Sequence, residues 1–157
     1  MSAPHIAGVA ALVKHSRKEL STKIIKSMIV NTAASISDKD GKTYPVAMQG
    51  AGKVQTFEAV TSTLAIVPAT MSLGEVLVAK EKTTKKSFTL KNISDSDVTV
   101  ELKFQGHSNI TVSMPTTVII EAGSEQSVEA KIVMQPIFTN DETSVELDGN
   151  IIISGSQ

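Results

Sequence analysis

The first forty residues hold the side-chain types that hydrolytic chemistry uses. Ser2 is a candidate nucleophile, His5 a candidate base, and Asp38 or Asp40 a candidate orienting carboxylate. A serine hydroxyl attacks poorly until a histidine takes its proton, and a carboxylate then holds that imidazole in the productive tautomer. Such a triad is defined by geometry, and its residue types recur by chance in a chain of 157 residues. Residue type alone therefore assigns no triad here. No second metal-ligating side chain is spaced with His5, which is expected to pack at the start of a buried helix instead.

Other local patterns read as structure. Ser37-Asp38-Lys39-Asp40-Gly41-Lys42 alternates carboxylates ahead of a glycine, as a cation loop would, but Ala47 and Met48 stand where the distal glutamate of a calcium loop is needed. A polar turn is the expected outcome. Gln49-Gly50-Ala51-Gly52-Lys53-Val54 lacks the glycine spacing of a phosphate loop, and its glycines fit a tight turn before a short helix capped by Thr56. His107 reads as an exposed turn residue. Asn92-Ile93-Ser94 and Asn109-Ile110-Thr111 match the glycosylation acceptor pattern, which suggests only that these asparagines are at the surface.

The order Met1-Ser2-Ala3-Pro4-His5-Ile6-Ala7-Gly8 is more specific. It resembles the stretch that follows the nucleophile in the subtilisin-like serine proteases: Met, Ser or Ala, one further residue, Pro, His, a small apolar residue, Ala, Gly. The resemblance implies that the attacking serine would directly precede Met1, so that Met1, Ser2, Pro4, His5 and Gly8 flank the catalytic position without occupying it. A serine at a helix N-terminus gains from free backbone N–H groups and the positive dipole end as charge develops on an oxyanion. In that family the base and its aspartate come far earlier in the chain, so neither His5 nor His15 inherits a role. No catalytic residue is assigned to this polypeptide, and it is expected to be inert by itself.

Two further stretches extend the resemblance to about residue 67. A helix ending near Asn31-Thr32-Ala33 is similar to one of the family, and a Gln-Gly-Ala-Gly element closes its peptidase domain; Gln49, Gly50 and Gly52 are accordingly structural. The resemblance implies protein substrates for the parent and a secreted, extracellular or wall-associated location, of the minor extracellular and cell-envelope protease types of bacteria. It assigns this chain no cofactor and no metal, and leaves calcium in the parent undetermined.

The elements that would hold these residues differ between the two halves. Residues 6–13 are apolar on every face, as a helix enclosed by other polypeptide would be, and Ala7, Gly8, Ala10 and Ala11 keep it thin. Pro4 fits its first turn. Ser21 is the expected N-cap of a second helix, with Leu20 and Ile25 as a hydrophobic staple and Ile24, Ile25, Met28 and Ile29 as its buried stripe. After Pro68 the period becomes two. Val98, Val100, Leu102 and Phe104 form one alternating strand and Val128, Ala130, Ile132 and Met134 another; shorter candidates are Leu73–Val78, Ser87–Asn92, Thr117–Glu121 and Asn150–Ser154.

The expected fold is therefore α+β. Residues 1–67 are read as the helical C-terminal remnant of a subtilisin-like α/β peptidase domain, and residues 68–157 as a fibronectin-III-like antiparallel β-sandwich. Charge follows the same division: eight basic against four acidic residues in 1–67, seven against twelve in 68–157. Few aromatics accompany the basic residues, which argues against a nucleic-acid partner. No apolar run spans a membrane, and the absence of cysteine excludes disulfides and thiolate zinc sites. An alternative function is a non-catalytic binding or adhesion module that uses the loops or strand edges of the sandwich. Without the rest of a peptidase domain, residues 1–33 are expected to be mispacked, disordered, or shared in a domain-swapped homo-oligomer.

Overall fold

The computed structural model describes residues 2–137 and 145–156. Among these residues four helices, α1 (Ser2–Ser16), α2 (Thr22–Asn31), α3 (Val46–Gln49) and α4 (Thr56–Thr61), precede seven strands: β1 (Leu64–Val67), β2 (Lys82–Asn92), β3 (Val98–Gly106), β4 (Ile110–Ser113), β5 (Thr117–Ile120), β6 (Glu125–Met134) and β7 (Gly149–Ser156). The strands form two antiparallel sheets, ordered β1-β2-β6-β4 and β5-β3-β7. No described helix is long and apolar enough to cross a membrane.

Alternation builds the β half. Val98, Val100 and Leu102 turn inward from β3 and Val128, Ala130, Ile132 and Met134 from β6, while Glu101, Lys103, Glu129 and Lys131 face solvent. Phe88 and Leu90 of β2 and Ile120 of β5 join Val98, Val100, Leu102, Val128 and Ala130 in one cluster to which both sheets contribute. The next inward position on β2 is Asn92, and it is fully buried. Its amide donates to the carbonyls of Ser96 (2.7 Å), Ile120 (3.0 Å) and Glu121 (3.2 Å), and its Oδ1 accepts from the backbone N–H (3.0 Å) and hydroxyl (2.7 Å) of Ser94. Burial without those partners would be costly. The expectation of a surface asparagine is corrected at Asn92: the phase of the strand, not the acceptor pattern, decides where it points.

Two strands went unanticipated and one expected strand is absent. Leu64–Val67, assigned from sequence to the helical half, pairs with Thr89–Asn92, and Ile110–Ser113 pairs with Lys131–Met134. Leu73–Val78 is irregular. Gly74 sits at φ +69 and its N–H is taken by the Ser72 hydroxyl at 3.1 Å, a local turn that interrupts extension, and Leu77 is left 87% exposed.

The helical half has its own cluster: Val9, Val13, Ile25, Met28, Ile29, Ala59 and Ala65. Ser21 caps α2, accepting from Ile24 N–H, and Leu20 packs against the cluster that contains Ile25. On α4 the N-cap is Gln55 without a side-chain bond, and Thr56 is the first helical residue, not the cap. The buried Ser27 links the halves: its hydroxyl lies 2.7 Å from both the N–H and the carbonyl of Ile66 on β1, and Asn31 donates to the same Ser27 hydroxyl and to the Ile66 carbonyl.

Replacing Asn92 by alanine leaves three carbonyls and a Ser94 N–H without this partner, and is expected to destabilise the chain by about 3 kcal/mol. Ser27→Ala is expected to cost about 1–2 kcal/mol, because the Ile66 N–H loses its partner and the Ile66 carbonyl keeps only the bond from Asn31. Urea denaturation followed by circular dichroism checks both, and a midpoint unchanged in either variant would refute its assigned role.

Candidate functional site

Ser2, Pro4, His5 and Gly8 all lie in the first half of α1, and all are exposed. Met1 lies outside the described residues. The expected burial of this helix is met only along one stripe: Val9 and Val13 are buried, whereas Ile6 is 41% and Leu12 55% exposed. His5 is thus exposed and not packed at the start of a buried helix. Gly8 shows the same thing from the backbone, since a Cβ built there meets nothing within 4 Å. Close packing does not explain that glycine within this chain.

Asp38 is committed to its own turn. Its Oδ1 accepts from the N–H groups of Asp40 and Lys42, both at 2.9 Å, and its backbone N–H donates to the Lys42 carbonyl. Ser37 and Thr43 pair across the turn, with Gly41 at φ +82. The residues that could be combined on paper into a triad thus fall in an exposed helical turn and a self-satisfied polar hairpin. Among the described residues no cluster of three or more His, Asp or Glu side chains is arranged to hold a metal.

The Gln-Gly-Ala-Gly element is tightly integrated. Gln49 ends α3 and bridges two strands of the loop, accepting from Ile36 N–H at 2.7 Å and donating to the Tyr44 carbonyl. Gly50 follows at φ +62 as the C-cap. Gly52, at φ +110, allows Lys53 to form a two-bond bridge with Ala34; a Cβ there would lie 2.2 Å from the Ala34 carbonyl oxygen. Here the backbone geometry does demand glycine.

Between α1 and α2 runs an apolar groove of about 500 Å³, walled by Ile6, Ala10, Ile25 and Ile29 with Lys14 and Lys26 at its margin. Sequence reasoning missed the residues that tie this region to the sheets. Arg17 reaches the Ile93 carbonyl at 3.4 Å, and Asp148 Oδ2 accepts from Val46 N–H at 2.5 Å. Neither has a local pattern, since the partners are 76 and 102 residues away.

Residues 1–52 match the Subtilase family model. The chain is also 33% identical, over 156 residues, to the minor extracellular protease Vpr of Bacillus subtilis strain 168, an alignment that takes in 98% of the chain. The chain is related to the subtilases. It spans 19% of the length of that protease. Two solved structures share slighter likenesses. WR4, a C. elegans MSP family member, has 15% identity and a TM-score of 0.34 over 48% of this chain and 60% of its own. A FixG-related protein from Vibrio parahaemolyticus has 11% identity and a TM-score of 0.38 over 59% and 91%. Neither superposition bears on the fold.

The two glycines of the subtilase-like stretch are expected to respond oppositely to alanine. Gly52→Ala introduces a backbone clash at a left-handed position and should cost about 2 kcal/mol or more. Gly8→Ala fills open space within a helix and should stabilise this chain by about 0.5–1 kcal/mol. Thermal or urea midpoints that moved in the same direction would contradict these environments.

Proposed function

We propose that the chain is the part of a secreted subtilisin-like serine endopeptidase that follows the nucleophile, completes the peptidase domain and joins it to a fibronectin-III-like β-sandwich. The observation that carries this reading is the 33% identity that runs through both halves to one extracellular protease. In it, residues 1–67 close the peptidase domain and residues 68–157 form the sandwich. β1 is the joint, hydrogen-bonded to β2 on one side and to Ser27 of α2 on the other.

The intact enzyme would cleave peptide bonds of protein substrates through an acyl-enzyme, with serine attacking, histidine taking its proton and aspartate orienting the histidine. The role of this chain is to anchor the helix that presents the serine. Val9 and Val13 hold α1 against α2 and α4, and the open side of α1, with Ile6, Gly8 and Leu12, is offered to the remainder of the peptidase domain. In its absence that face is available to a second copy of the chain. The polypeptide itself carries no catalytic side chain under this reading and does not hydrolyse peptides.

A fluorophosphonate probe separates the possibilities. No label is expected on the isolated chain. Refolding the same sequence joined to its native preceding segment, through the serine, is expected to produce labelling, and Ser→Ala at the joined nucleophile to abolish it. Labelling of the isolated chain at Ser2 would overturn the proposal.

A further inference from the structure

A second hollow, of about 470 Å³, lies where β7 meets the segment after β1. β7 is the outer strand of its sheet. Leu102 N–H donates to the Thr116 carbonyl on the β5 side, so its neighbours Glu101 and Lys103 bond to β7. The register pairs Lys103 with Ile152, which turns the N–H and carbonyl groups of Ile151 and Ile153 away from β3. Both residues line the hollow.

Pro68-Ala69-Thr70-Met71 also line it, as do Val30 and Asn31 of α2 and Val46 of α3. Among the described residues, the backbones of Ala69, Thr70 and Met71 take no hydrogen bond either. Phe88 lines the hollow as well, and Met71 packs against the β cluster. Unpaired amide groups in two of its lining segments, beside an apolar floor, match one kind of occupant. A hydrocarbon ligand would leave those groups without partners, and a folded sheet could offer only one free edge. A single extended polypeptide has both edges free and can turn alternate side chains downward.

We propose that this slot binds an extended, strand-forming segment of another protein, which adds to β7 by backbone pairing and places alternate apolar side chains over Phe88 and Met71. Binding of this kind takes affinity from main-chain bonds and selectivity from the side-chain floor. It requires nothing of protease chemistry and survives if the protease reading fails.

The test uses the full chain, isotope-labelled for NMR, and a synthetic peptide of alternating valine and threonine. Added peptide is expected to shift the amide signals of Gly149–Ile153 and Ala69–Met71 and to slow amide exchange at Ile151 and Ile153. The same peptide N-methylated at alternate residues is expected to bind at least about tenfold more weakly, because a row of donors is lost. Ile151→Pro removes an outward N–H while sparing the β3 ladder, and should weaken binding by about tenfold as well. If that variant unfolds, the N-methylated peptide decides. The proposal is overturned by no binding at millimolar peptide, by equal binding of both peptides, or by signal changes centred on Ile6 and Ile29. Protection of Ile151 that rises with protein concentration in the absence of peptide would likewise overturn it, by showing a second copy in the slot.

Discussion

One serine hydroxyl governs how the two halves of this chain meet. Ser27 projects from α2 and satisfies both backbone groups of Ile66, doing for β1 what a neighbouring strand would otherwise do. The sheet therefore ends against a helix and not in open solvent. β1 is apolar enough to serve two neighbours at once: Ala65 belongs to the helical cluster, while Leu64 and Ile66 pack against the β cluster. Arg17 on Ile93 and Asp148 on Val46 add polar ties farther along the same seam. The molecule is joined through an element that each half needs, so loosening one half is felt in the other.

What could be read from the residues depended on how local the determining physics was. The long strands β3 and β6 were legible because Val98 to Phe104 and Val128 to Met134 alternate for several residues, a period no helix shares. β1 was not, because Leu64-Ala65-Ile66-Val67 is a short apolar run after a helix, and such a run has no period to distinguish it. Leu73–Val78 has strand-forming residues but no partner strand, and Gly74 turns it aside. The cap at Ser21 was visible because capping is settled within four residues; the clamp at Ser27 was not, because its partner is 39 residues away.

The functional stretch shows the same limit from the other direction. Family-specific order at residues 1–8 and at Gln49–Gly52 is a matter of residue identity, so it was readable without coordinates. An all-round apolar helix states how many neighbours it suits, and here Val9 and Val13 are covered while Ile6 and Leu12 stay exposed. Gly8 and Gly52 make the contrast concrete. Gly52 is explained by its contacts, whereas Gly8 has open space around it among the described residues.

Asn92 has a practical corollary for how this protein is produced. Its side chain is sealed in the β half, yet it heads an Asn-Ile-Ser tripeptide. Oligosaccharide transfer in a eukaryotic secretory pathway acts on nascent, unfolded chain, before strand phase can shield the amide. A sugar placed there could not be accommodated at a site with no exposed surface, and the glycosylated product would be kept from folding. Bacterial expression avoids the trap and keeps the Ser94 hydroxyl that Asn92 needs.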